Sequence, residues 1–82
     1  MLKLINIKIN DELLEADYIP EDSDKKAYVS LNTKKGETKA EIIDEYGKMY
    51  SRMAVNGLQR ISSELKSGKI TVVPKERLVM WY

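Results

Sequence analysis

The residue types that most often carry out catalysis are missing from this sequence. Its 82 residues include no histidine and no cysteine, which excludes a Ser–His–Asp triad, a Cys–His pair and metal sites built from thiolates or imidazoles. No P-loop, G-x-G-x-x-G or H-E-x-x-H motif occurs. Any chemistry would have to use carboxylate, lysine or tyrosine side chains. We therefore predict a protein that is not an enzyme and that uses no cofactor and no metal ion.

Carboxylates lie close together in two stretches of the sequence, but neither stretch has the pattern of a site. Glu15 and Asp17 share one face of a predicted strand, and it is the polar face, where a solvated carboxylate keeps its ordinary acidity. Asp22 and Asp24 are spaced like the start of an EF-hand loop, but Ala27 stands where that loop needs glycine. We interpret this second stretch as a solvated loop.

Basic side chains are concentrated in the second half of the chain. Residues 1–45 carry seven lysines and eleven acidic residues, a net charge of −4, whereas residues 46–82 carry seven basic and two acidic residues, a net charge of +5. Together with Tyr46 and Tyr50, one helical turn apart, such cations could hold phosphates and stack bases of a single-stranded nucleic acid. Two alternative interpretations remain open. The tyrosines could belong to the buried apolar stripe of a helix, and the opposite net charges could serve attraction between the two halves of the chain. The candidate basic strip consists of Lys48, Arg52, Arg60, Lys66 and Lys69.

The C-terminal stretch "RLVMWY" provides the second candidate site. It is a continuous apolar run that contains the single tryptophan, Trp81, and such a run is typical of a strand buried on both faces. At a sheet edge the same strand would pair with another chain. Trp81 could fill the core of its own chain or anchor an interface, and the sequence leaves both open. The candidate partner or dimer contacts are Leu78, Met80, Trp81 and Tyr82.

The first part of the chain predicts two hairpins. "LKLINIKI" alternates so that Ile5, Ile7 and Ile9 share a face, and Asn10-Asp11 suits a two-residue turn. The expected register pairs residue 9 with 12 and 7 with 14, which puts the three isoleucines on one apolar face with Leu14, Ala16 and Tyr18.

The second predicted hairpin turns at "TKKG", residues 33–36. Ala27, Val29 and Leu31 share one face of its first strand, and the register pairs 31 with 38 and 29 with 40. The competing interpretation begins a helix at Thr38, because Thr38-x-x-Glu41 is a capping box. That helix would enclose two glycines, each costing about 1 kcal/mol relative to alanine. We favour the hairpin.

From residue 46 onward the apolar period changes to three or four, which predicts a helix over about 46–66 with Gly68 as its C-terminal cap. Gly57 lies on the apolar stripe and would allow the helix to approach the sheet closely. "KITVV", residues 69–73, is predicted as a short strand, and "RLVMWY" as the last strand.

These elements predict an α+β fold: an antiparallel sheet built from two N-terminal hairpins, one long helix across it, and a C-terminal strand or hairpin. Residues 1–82 make one domain, and its small core favours association with a second copy, since no disulfide or common metal site is possible. We expect a small non-enzymatic protein of the cytoplasm, without membrane contact, that binds a protein partner or forms a homodimer. A nucleic-acid-associated accessory protein using the basic second half is the alternative.

Overall fold

A computed structural model describes residues 1–21, 23–43 and 49–80 of the chain. Within these ranges five strands form one antiparallel sheet, and one helix packs across it. The predicted α+β architecture is thereby confirmed. The elements are β1 (Leu2–Asn10), β2 (Leu13–Pro20), β3 (Ala27–Asn32), β4 (Thr38–Ala40), α1 (Met49–Lys66) and β5 (Arg77–Val79). Their order across the sheet is β4-β3-β2-β1-β5, which leaves β4 and β5 at the two edges.

The hairpin of β1 and β2 forms, but its predicted register is wrong. The two-residue loop lies one position further along, at Asp11-Glu12, so that Asn10 pairs with Leu13. Asp11 has a φ angle of +53°, a conformation that tight hairpin loops require and that aspartate tolerates better than most residues. Asp11, the first residue of the loop, thus provides a positive φ angle that the tight turn requires.

A β-bulge in β1 changes which side chains face the core. Asn6 and Ile7 together lie opposite Ala16, and Asn6 has a φ angle of +52°. One inserted residue reverses the inside–outside alternation of a strand. Leu2 and Leu4 are therefore buried before the bulge, and Ile7 is buried after it.

The predicted core face of β1 is accordingly wrong at two of its three positions. Ile5 lies on the opposite face and Ile9 is 38% exposed, while Ile7 alone is buried as expected. On β2 the prediction is confirmed, because its three expected core side chains are buried: Leu14, Ala16 and Tyr18.

The second hairpin has the predicted register. Leu31 pairs with Thr38 and Val29 with Ala40. Gly36 ends the turn with a φ angle of +79°, which only glycine adopts without strain. The alternative helix over residues 38–66 is therefore wrong, since Thr38–Ala40 is a strand.

Helix α1 buries its predicted apolar stripe against the sheet. It covers Met49–Lys66 of the described residues, and the predicted start at residue 46 lies outside them. Gly68 has a φ angle of +77°, and its N–H donates to the carbonyl oxygen of Leu65, so the expected glycine cap is confirmed. The buried apolar side chains of the helix are Tyr50, Ala54, Leu58 and Ile61.

Two predictions about the C-terminal part of the chain are wrong. Lys69–Val73 forms no strand, and Val72 is 75% exposed. β5 is not buried on both faces, because Leu78 is 58% exposed and Met80 is 47% exposed. The physical reason is its position: β5 lies at the sheet edge beside β1, and α1 covers only one face of the sheet.

The deepest polar contact in the core involves Tyr18. Its ring is fully buried, and its hydroxyl donates to the backbone carbonyl of Glu41. Burial raises the pKa of the Tyr18 phenol, and the negative charge of Glu41 raises it further. The contact joins β2 to the segment that follows β4.

Candidate functional site

Strand β5 presents an open edge to solvent. Pro20, which pairs with Leu2 in the β1–β2 ladder, has no N–H, and the next pair along is joined by the N–H of Glu21, which donates to the carbonyl of Met1 at 3.1 Å. The backbone groups of Leu2 therefore face β5, where Leu2 pairs with Val79. Because backbone groups alternate in direction along a strand, those of Val79 and Arg77 point toward β1. The N–H and C=O of Leu78 point away from the sheet, where no described strand pairs with them.

In addition to the pairing with β1, three side-chain contacts hold β5 and the residue before it in place. Arg77 Nη1 lies 2.6 Å from Glu64 Oε1 of α1, and both side chains are largely buried. Val79 faces the helix at Gly57, where a Cβ atom would lie 2.7 Å from Val79 Cγ2. An exposed salt bridge of 3.2 Å between Lys3 and Glu76 completes the attachment. The edge strand is thus fixed on its inner side and free on its outer side.

Two of the four predicted contact residues belong to this edge. Leu78 and Met80 are exposed, as a partner contact requires, whereas Trp81 and Tyr82 lie outside the described residues. Leu78 pairs with Lys3, whose side chain is exposed on the sheet face away from α1.

The predicted basic strip is brought together only in part. Arg52, Arg60, Lys66 and Lys69 are exposed, and Lys48 lies outside the described residues. The Lys66 ammonium donates to the carbonyl oxygen of Thr33 at 2.8 Å, which commits it to the turn after β3. Of the two candidate stacking rings, Tyr50 is buried and Tyr46 lies outside the described residues.

A groove between α1 and β5 joins one residue of the basic strip to the exposed apolar residues of the edge. Its volume is about 320 Å³. Sequence reasoning treated Arg60 and Leu78 as parts of different sites and did not single out Asn56 or Arg77. The helical spacing of residues 53, 56 and 60 places them on one side of α1 and could have indicated the groove, but only if β5 were known to lie beside that side of the helix. Its described lining is Met53, Asn56, Gly57, Arg60, Arg77, Leu78, Val79 and Met80.

The carboxylates on the uncovered sheet face are occupied by neighbours. The Tyr28 hydroxyl donates to Glu15 Oε1 at 2.7 Å, and Asn6 Nδ2 donates to Asp17 Oδ2 at 3.1 Å. Burial, and then the bond to Glu15, raise the pKa of Tyr28. Within residues 1–21, 23–43 and 49–80, no group of three or more acidic side chains is arranged to hold a metal ion.

A second, more open cavity of about 370 Å³ lies between α1 and the β3–β4 turn. Most of the residues that line it are polar, including Asn32, Gln59 and Lys66. The bond from Lys66 to Thr33 crosses this region. We therefore interpret it as a polar seam between helix and turn.

The fold and the site define a small α+β domain with an apolar sheet edge at β5 and a groove beside it. Comparison of the chain with models of protein families, with curated proteins and with solved structures finds no match. In the part of the chain that the structure describes, no helix has the length and apolar character that crossing a bilayer requires.

Proposed function

We propose that this chain is a small non-enzymatic interaction module of the cytoplasm that forms a homodimer through β5. The single observation that carries the proposal is the outward-pointing backbone of Leu78 beside exposed apolar side chains. An unpaired, apolar edge is a template for strand pairing.

The contrast between the two sheet edges supports β5 as the site of association. The β4 edge has Lys39 at its centre, and Lys34, Lys35 and Glu37 precede it in the adjoining turn, all exposed. Charged side chains of this kind protect an edge from pairing, because they would have to be desolvated against a second strand. On β5, by contrast, Leu78 and Met80 expose apolar side chains. Association through β5 would therefore bury apolar surface, whereas association through β4 would bury charge.

A two-fold arrangement of two β5 strands is sterically and electrostatically consistent. Because the backbone groups of Leu78 point outward, an antiparallel pair centred on Leu78 would exchange both hydrogen bonds between the two copies of that residue. Arg77 would then lie opposite Val79 of the other copy. A pair centred on Arg77 could not form these hydrogen bonds, because the backbone groups of Arg77 point toward β1. The expected dimer is thus isologous, as two-fold interfaces are.

Sedimentation velocity from low to high micromolar concentration tests this proposal. We expect the parent protein to move from monomer to dimer over this range, and Leu78→Lys to remain monomeric because it places a charge at the centre of the interface. Thr38→Lys, which adds the same charge to the β4 edge, is the matched control and should dimerise like the parent. Circular dichroism would verify that all three proteins fold. A parent protein that stays monomeric throughout, or a dimer that Thr38→Lys disrupts and Leu78→Lys does not, would contradict the proposal.

The alternative function is that of a nucleic-acid-associated accessory protein. The exposure of Arg52, Arg60 and Lys69 supports it, and the buried ring of Tyr50 limits it to phosphate contacts. Such binding depends steeply on salt, with a log–log slope that falls by about 0.7–0.9 for each phosphate neutralised. Titration of single-stranded DNA at low salt should give a complex that Arg52→Gln weakens, and the absence of any complex would dispose of this function.

A further inference from the structure

The groove between α1 and β5 has an apolar part and a cationic part. Met53 from the helix and Val79 and Met80 from the strand side contribute the apolar part. Gly57 also lines the groove, at the point where α1 is in direct contact with Val79. The volume of about 320 Å³ lies near the lower end of the range for ligand sites, roughly 300–1,000 Å³.

The charges around the groove are not balanced. Arg77 is neutralised by Glu64 at 2.6 Å. Arg60, in contrast, is exposed and makes no hydrogen bond or ion pair with any other described residue. Asn56 adds an amide one helical turn before Arg60 on the same side of α1. Among the described residues, the groove therefore offers one guanidinium group without an acidic partner, with an amide donor nearby.

We propose that this groove binds a small organic acid with an apolar body. The carboxylate of the acid pairs with the Arg60 guanidinium, which matches its planar geometry, and the hydrocarbon part lies against Met53, Val79 and Met80. This inference goes beyond the interaction function and does not depend on it, because every residue named belongs to a single copy of the chain.

Octanoate is a suitable probe, and its binding can be followed residue by residue in nitrogen–proton correlation spectra. We expect octanoate to shift the amide signals of residues 53–60 and 77–80 in a saturable manner. Octanol, which has the same chain without the charge, should bind more weakly, and octylammonium should not bind.

The matched variants are Arg60→Gln and Arg52→Gln, which remove the same charge from neighbouring positions of the exposed helix surface. Loss of the charge-assisted contact should weaken octanoate binding about tenfold in Arg60→Gln, with no change in Arg52→Gln. Equal binding of octanol and octanoate, an unaltered affinity in Arg60→Gln, or shifts outside the groove would each overturn the proposal. A dimer that forms normally without binding octanoate would refute this inference alone.

Discussion

A Cβ atom on Gly57 would lie 2.7 Å from Cγ2 of Val79. The backbone of α1 is therefore in direct contact with the Val79 side chain of β5, at a position where the helix has no side chain. A Cβ atom essentially never lies this close to a non-bonded carbon, and Leu4 Cδ1, at 2.9 Å from the same position, closes the other side. Position 57 of the helix therefore has no room for a side chain unless Val79 or Leu4 moves.

Gly57→Ala should consequently destabilise the fold despite the better helix propensity of alanine. Overpacking costs about 1–3 kcal/mol, and the propensity gain returns about 1 kcal/mol, which leaves a net loss of about 1 kcal/mol in urea unfolding. In a Val79→Ala background the contact with Cγ2 is removed while the one with Leu4 remains, and Gly57→Ala should cost less than it does in the parent. A loss of the same size in both backgrounds would show that the contact with Val79 is not the cause.

Asn6 is the residue on which the β1 bulge depends. Its left-handed conformation costs about 1–2 kcal/mol for most residues and more for β-branched ones. Asn6→Val should therefore lower the free energy of unfolding by about 2 kcal/mol, whereas Asn6→Gly should stay within about 0.5 kcal/mol because glycine adopts this conformation freely. Lys8→Val, at a regular exposed position of the same strand, is the control. Equal stability of Asn6→Val and Lys8→Val would argue against the bulge.

The fold should lose stability at alkaline pH. The folded state raises the pKa of Tyr18, so it holds the phenolic proton more firmly than the unfolded chain does. Stability is then fully present below the pKa of the unfolded chain, about 10, and falls as the pH rises through the window between the two values. Thermal melts of Tyr18→Phe should show a shallower alkaline decline than the parent, and an identical decline would contradict this assignment.

The ion pair between Arg77 and Glu64 should stabilise the attachment of β5 more than the outer pair does. The 2.6 Å contact is largely buried, whereas Lys3–Glu76 is exposed. A double-mutant cycle of Arg77→Met and Glu64→Gln should give a coupling of about 1 kcal/mol or more, and Glu76→Gln alone should change stability by less than about 0.5 kcal/mol. Comparable values for the two pairs would indicate that burial does not make the Arg77–Glu64 pair the stronger attachment.

The spacing of apolar residues predicted much of this fold correctly. It succeeded for those elements that keep the same face buried along their whole length. The apolar positions of β2, the register of the second hairpin, and the helix with its Gly68 cap all follow from unbroken periods of two or 3.6. The first strand was misjudged because the bulge at Asn6 changes the period within the strand, and "LKLINIKI" offers two alternating apolar sets. Only the folded structure shows which set is buried: Leu2 and Leu4 before the bulge, and Ile7 after it.

The site was less accessible to sequence reasoning. Leu78 and Met80 were identified by composition, but their exposure results from the position of β5 at the sheet edge, which is a property of strand order. The groove combines residues about twenty positions apart in the chain, such as Asn56 and Arg77. Strand order and long-range proximity of this kind leave no periodic signal in a single sequence.

Disulfide trapping of β5 against β5 tests the central claim most directly, because the chain contains no cysteine of its own. In an antiparallel pair centred on Leu78, the two Cα atoms of that residue would lie about 5.5 Å apart, within the range that a disulfide spans. Leu78→Cys under mild oxidation should therefore form a covalent dimer rapidly, and Lys39→Cys on the β4 edge should do so slowly or not at all. Equal rates of cross-linking at the two edges, or no covalent dimer from Leu78→Cys, would contradict dimerisation through β5.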